Sequence, residues 1–202
     1  MAPYHHGDLR NALVRAAADL AEASGPDAVT VRAVARAVGV TPTAAYRHFA
    51  SQAELFRAVK HEAMERMTQT MLSLATEPAS DADPVTVALD RVVAAGRGYI
   101  EFARSQPGLF RTAFCRTEYQ NTLADAPPYT LAIRVLDDLV ELGWLDPARQ
   151  EEVATAAWAT VHGLSMLLLD VCTYWTDSER EQVITSTLDF AVRGLGGGQT
   201  GR

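Results

Sequence analysis

Residues 29–56 read V-T-V-R-A-V-A-R-A-V-G-V-T-P-T-A-A-Y-R-H-F-A-S-Q-A-E-L-F, and their punctuation decides the fold. Thr30 is placed to cap a short helix by accepting a hydrogen bond from an unpaired backbone N–H. Val31, Val34, Ala35 and Val38 then share one face at three- and four-residue spacing, and that face is expected to point inward. Gly39 follows, the residue best suited to the left-handed conformation at a helix end, and Val40 returns the chain to the core. Thr41 is a second N-cap, and Pro42 stands at the first helical position, where a missing N–H is harmless. A second helix of about two turns therefore starts at a large angle to the first. Ser51 and Glu54 form a capping box that ends it near Phe49 and opens a third. Two short helices joined by a tight turn containing glycine make the helix-turn-helix unit, whose second helix enters the major groove of DNA.

The second helix also carries suitable chemistry. Thr41, Thr43, Tyr46, Arg47 and His48 supply hydroxyls, a guanidinium and an imidazole. Ala44 and Ala45 keep the surface low enough for close approach to bases. Hydroxyls and Arg donate to phosphates, Arg grips a guanine edge, and Ala meets a thymine methyl. A plain helical hairpin is the competing reading. It explains each residue singly but not the combination of cap, glycine turn, Thr-Pro start and aromatic-basic end.

With these residues in place the chain resembles the tetracycline-repressor-like (TetR) transcriptional regulators. The resemblance rests on Y-H-H-G-D-L-R at Tyr4 to Arg10, T-V-R-A-V-A-R-A-V-G-V, the Y-R-H-F ending at Phe49, and S-Q-A-E-L-F at Ser51 to Phe56. It implies that Tyr46 and His48 contact phosphate or base, that Thr41 and Thr43 lie at the DNA backbone, and that the helix start at Thr30 and Arg32 touches phosphate. Gln52 departs from the family pattern, which often has Lys there, and a charged phosphate contact is lost with it.

Composition agrees with a folded cytoplasmic protein. The chain has 202 residues, of which 48% are hydrophobic, enough for a sizeable core. Its two cysteines, Cys115 and Cys172, form no metal-like spacing and fit a reducing compartment. No apolar run follows Met1, so no secretory signal is expected. The net charge of −7 is unevenly spread: residues 1–60 carry +2 and the remainder −9. A mildly basic end on an acidic body orients a molecule on DNA while limiting non-specific binding. Tyr4, His5 and His6 lack a third ligand nearby and are read as an arm rather than a metal site, so neither metal nor cofactor is expected.

The whole chain reads as all-α, with no strand alternation of any length. Leu9, Leu13, Ala16, Ala17 and Leu20 predict a first helix ending at Gly25-Pro26, completing a three-helix DNA-binding head over residues 1–50. A helical-bundle domain over 51–195 follows, then a disordered tail over 196–202. A long helix from Ser51 to about Ala75 leaves the head. Asp83-Pro84 opens another, Pro107 starts a short one, and Cys115 to Pro128 is a loop before helical spacing resumes over Leu131 to Leu142.

Asp146-Pro147 opens a helix to about Cys172 that carries no charged side chain between Glu152 and Asp170. A helix apolar all round is expected to be buried on all sides. As a membrane span it is slightly short, Ala/Thr-rich, interrupted by His162 and without flanking basic residues. Ser178 and Glu181 form a capping box for the last helix. The two terminal helices present more apolar surface than a small monomer covers, so a homodimer through a four-helix bundle is expected. Its interface is assigned to Val161, Leu164 and Leu168 on one helix and to Ile184, Thr187, Leu188 and Ala191 on the other.

A-W-A-T-V-H-G-L at Ala157 to Leu164 is similar to the Trp-His-Gly signature of one C-terminal subclass of TetR-like proteins, and P-G-L-F-R-T-A-F at Pro107 to Phe114 resembles its companion. The resemblance implies an effector-binding and dimerisation domain. Independently, Trp158, His162 and Met166 fall on approximately one face. With Tyr99, Phe102, Phe110 and Phe114, and with Met67 and Met71 on the long helix, they are expected to line an apolar ligand pocket with a few polar handles. Core packing is the plainer reading for each of them singly.

An enzyme is disfavoured. Ser165, His162 and Asp170 have the letters of a nucleophilic triad but lie on one helix without an oxyanion site or elbow turn. The expected function is a ligand-responsive transcriptional regulator, a repressor bound as a homodimer to a near-palindromic double-stranded operator and released by a small, mainly apolar effector. The alternative is a helical ligand-binding or interaction protein that has lost DNA binding, motivated by Gln52 and the modest charge of the head.

Overall fold

A computed structural model describes residues 6–75, 81–115 and 126–195, and among these the regular structure is entirely helical. The helices are α1 (His6–Ser24), α2 (Val31–Val38), α3 (Pro42–Tyr46), α4 (Gln52–Ser73), α5 (Pro84–Ser105), α6 (Pro107–Phe114), α7 (Pro127–Glu141), α8 (Gln150–Met166) and α9 (Asp177–Leu195). The Tyr4-His5 arm, the 196–202 tail and most of the expected loop before Pro128 lie outside the described residues.

Two compact units share these helices. The first comprises the described residues of Met1–Arg66 and Gln106–Gln120, and the second those of Met67–Ser105 and Asn121–Arg202. This differs from a boundary at residue 50, because α4 as far as Arg66 and the whole of α6 belong to the first unit. The reason is local and physical. The Glu22 carboxylate on α1 accepts a hydrogen bond from the Leu109 N–H at 2.8 Å, capping a helix start that Gln106 leaves without a side-chain cap. Gly108 lies so close to α1 that a Cβ would stand 2.3 Å from the Glu22 carbonyl oxygen and 2.5 Å from that of Ala21. Both neighbours are backbone and cannot move aside alone. Gly108→Val is therefore expected to destabilise the first unit by about 1–3 kcal/mol, read as a lowered denaturation midpoint. An unchanged midpoint would show that α6 docks less tightly on α1 than the geometry requires.

In the second unit α5 packs on α7, α8 and α9, and α8 also packs on α7 and α9. Asp83 caps α5 as expected, accepting from the Thr86 N–H at 2.9 Å, and this hydrogen bond holds its carboxyl below the usual range. The other expected boundaries move. Helix α7 begins at Pro127 rather than Leu131. Helix α9 is capped by Thr176 and Glu179, not by Ser178 and Glu181: the Glu179 carboxylate accepts from the Thr176 N–H at 2.7 Å, and the Thr176 hydroxyl accepts from the Glu179 N–H at 3.3 Å. Glu181 is engaged elsewhere, 2.9 Å from both Arg97 and Arg104 of α5.

Helix α8 is not buried on all sides. Val153, Ala154, Trp158, Val161, Leu164 and Ser165 face the interior, whereas Ala156, Ala159, Gly163 and Met166 are exposed. It continues as a π-helical turn over Leu167–Val171, closed by the Cys172 N–H donating to the Leu167 carbonyl at 2.7 Å. The stretch Pro147–Val171 is the one among the described residues long and apolar enough to cross a membrane by length and composition. Here its inner face packs against α5, α7 and α9.

Candidate nucleic-acid interface and ligand cavity

The head is built as its punctuation requires. The Thr30 hydroxyl accepts from the Ala33 N–H at 3.1 Å, and Gly39 takes the left-handed conformation with φ 78° and ψ 27°. The Thr41 hydroxyl then accepts from the Ala44 N–H at 3.2 Å and starts α3. Such caps contribute about 1 kcal/mol each. Regular α-helix ends at Tyr46, but the His48 and Phe49 N–H groups still donate to the Ala45 carbonyl, so the helical path continues to Phe49. The Ser51 hydroxyl accepts from Glu54 N–H at 3.1 Å. The return bond goes to Ala50, whose N–H donates to the Glu54 carboxylate at 2.8 Å.

This frame sorts the side chains of α3. Ala45 and Phe49 are buried, and the Arg10 guanidinium lies 4.9 Å from the centre of the Phe49 ring. Thr41, Thr43, Tyr46 and Arg47 are exposed, Ala44 and His48 are half-buried, and Arg32 is exposed at the start of α2 with Thr30 half-buried before it. The expected contact residues are thus presented on one short helix and the helix start beside it.

The second unit contains a narrow, partly open apolar cavity of about 50 Å³. Its wall is formed by Met71 from the end of α4, by α5 from Val92 to Tyr99, and by residues of α7, α8 and α9. The Tyr99 ring stands edge-on to Trp158 with centroids 5.0 Å apart, and Tyr129 meets the same indole at 5.7 Å. The Tyr99 hydroxyl is 2.8 Å from His162 Nδ1. Burial pushes the Tyr99 pKa far up and that of His162 down, so both are neutral near pH 7.

The expected pocket is only partly assembled here. Met71, Tyr99 and Trp158 line the cavity, and His162 reaches it through Tyr99. Phe110 and Phe114 do not line it: their rings meet at a tilt of 59° with centroids 4.9 Å apart on α6, in the first unit. Met67 and Phe102 are wholly buried without lining it, and Met166 is exposed. Aromatic counting passes over the valines and leucines of the wall and its small residues, among them Ala95, Gly96, Ala132, Ala154 and Ala157.

The expected dimer residues also need correction. Val161, Leu164, Leu168, Ile184 and Leu188 are buried inside the protomer, and Val161, Leu188 and Ala191 line the cavity. The five buried residues, each at most 8% exposed, offer little surface to a partner. From the end of α8 onward the exposed large apolar side chains among the described residues are instead Met166, Leu167, Val171, Tyr174 and Phe190, with Thr187 half-buried one turn before Phe190.

A helix-turn-helix head joined to a helical unit with an apolar cavity defines a DNA-binding regulator with a separate ligand domain. Comparison with known proteins gives the family. Residues 13–59 match the model "Bacterial regulatory proteins, tetR family", and residues 92–190 match "Tetracyclin repressor-like, C-terminal domain". The chain belongs to the TetR family of transcriptional regulators, which are DNA-binding proteins and not enzymes. It is 21% identical over 187 residues to the uncharacterized HTH-type transcriptional regulator YobS of Bacillus subtilis, covering 93% of this chain and 90% of that one. A solved protein of unknown function from Rhodococcus sp. RHA1 is 25% identical with a TM-score of 0.77, covering 97% of this chain and all of the other. A TetR variant from Acinetobacter baumannii AYE, solved in complex with minocycline, has the same fold at 16% identity, with a TM-score of 0.67 and coverage of 98% and 100%.

Proposed function

We propose that the protein is a repressor that binds a near-palindromic operator as a homodimer and leaves it when a small, mainly apolar effector enters the cavity of the second unit. In this reading Tyr46, His48, Arg47 and Thr43 of α3 meet bases and phosphates. Ala44 allows close approach to a thymine methyl, and Thr41, Thr30 and Arg32 fix the register on the backbone. The half-sites lie about 34 Å apart or somewhat more, with one recognition helix of the dimer in each.

One observation carries the coupling. Helix α4 starts at the Ser51 cap directly after α3 and runs unbroken until Met71 enters the cavity wall. A ligand shifts an equilibrium only through its differential affinity for the two states. The cavity as it stands, about 50 Å³, is well below the roughly 300–1,000 Å³ of sites that hold drug-sized ligands. An effector therefore has to push the wall helices apart, and α4 is one of them. The ligand-free cavity belongs to the DNA-competent state and the widened one to the released state.

A mobility-shift titration with the intergenic DNA upstream of the protein's own gene tests the reading. A sequence-selective shift at two chains per site is expected, reversed by an apolar effector from a compound panel. Binding no tighter than to unrelated DNA would favour a ligand-binding protein that has lost operator recognition.

A further inference from the structure

The cavity wall is informative in what it omits. None of its sixteen lining residues carries a charge at neutral pH, and Tyr99 and Trp158 are the only ones with a polar side-chain atom. The Tyr99 hydroxyl already faces His162 Nδ1 at 2.8 Å. The cationic groups of α5 are all paired at the surface, Arg91 with Asp138 and Arg97 and Arg104 with Glu181. A charged ligand group entering this space would lose its hydration and find no opposite charge.

The size of the cavity has an equally local cause. Gly96 on α5 has no side chain, and a Cβ there would stand 2.7 Å from Leu188 Cδ2 and 3.4 Å from Val161 Cγ1. The tip of Leu188 thus occupies the room that Gly96 leaves. Leu188 is 4% exposed, and its flexible end can rotate away without disturbing the backbone of α9. Extending the reading that this unit binds an effector, we infer that the cavity admits an uncharged, largely hydrocarbon ligand and that Gly96 and Leu188 together set its size limit.

Two fluorescent probes with the same ring system separate the claims: neutral N-phenylnaphthylamine and its anionic relative anilinonaphthalene sulfonate, titrated against the full chain. The neutral probe is expected to bind with one site per chain, at least about tenfold tighter than the anion. Leu188→Ala enlarges the cavity and should tighten neutral-probe binding about threefold or more, as dry cavities of this kind take up apolar rings. Gly96→Leu fills the space and should weaken it at least about tenfold. If Gly96→Leu fails to fold, the gain in Leu188→Ala decides alone. Equal affinity for the anion, altered by these substitutions in the same way, would overturn the exclusion of charge while leaving the cavity as the ligand site. Affinities indifferent to both substitutions, or no neutral-probe binding in any form, would remove the cavity and the effector reading built on it.

Discussion

Replacing Tyr46 and His48 together by alanine is expected to lower operator affinity about a thousandfold and to leave the melting temperature unchanged. Tyr46 is 46% exposed and His48 half-buried, while the core face of the same helix belongs to Ala45 and Phe49, each 1% exposed. The substitutions therefore remove donors and acceptors without removing the packing that holds α3 in place. Neither residue caps a helix, since Thr41 and Ser51 do so on either side. A hydrogen bond contributes about 1 kcal/mol net, and two per head in a two-headed dimer sum to ~4 kcal/mol, which is the stated factor. Fluorescence anisotropy at one fixed salt concentration reads this directly, because phosphate contacts make affinity strongly salt-dependent. Affinity within about threefold of the unmutated protein would remove both side chains from the contact set.

The parts of this protein that could be read in advance are those whose physics is local. Thr30, Gly39, Thr41, Pro42 and Ser51 act on groups within a few residues of themselves, and the structure uses each as its chemistry suggests. The start of α9 shows where local rules become ambiguous. T-D-S-E-R-E contains two overlapping capping boxes, Thr176 with Glu179 and Ser178 with Glu181. Arg97 and Arg104, more than seventy residues earlier, engage Glu181 and leave the cap to Glu179.

The cavity is only partly legible for a related reason. Aromatic side chains mark large buried volume but not which neighbours bury it. Phe110 and Phe114 follow α6 into the first unit because of Glu22 and the close approach at Gly108, neither of which is a periodicity signal. The residues that leave the cavity open are alanines and a glycine, which carry little weight in a hydrophobic pattern. Helix α8 poses the harder problem, since it is apolar on both faces. Sequence spacing identifies its stripes but not which one the protomer covers for itself, and the bulkier stripe, with Trp158, Val161 and Leu164, went inside.

The stripe left outside yields the second large effect: Phe190→Glu is expected to convert the proposed dimer into a folded monomer. Phe190 is 69% exposed on α9, in line with half-buried Val183 and Thr187. On α8 the small exposed residues Ala156, Ala159 and Gly163 give way to Leu167, and Val171 and Tyr174 follow at 60% and 79% exposed. A flat apolar surface with small residues lets a second pair of helices approach closely, which is the geometry of a four-helix bundle. In a two-fold interface every residue acts twice. Losing two Phe side chains that the proposed dimer would bury removes roughly 3–6 kcal/mol, before the desolvation of two unpaired carboxylates is counted. The dimer dissociation constant should rise by at least about a hundredfold, and operator binding should collapse with it, because each monomer reaches one half-site. Leu188→Glu, two positions earlier, serves as the contrast: Leu188 is 4% exposed within the protomer, so that change should lower the melting temperature of the chain itself. Sedimentation of the unmutated protein as a monomer at micromolar concentration would refute the interface, as would a Phe190→Glu variant that remains dimeric.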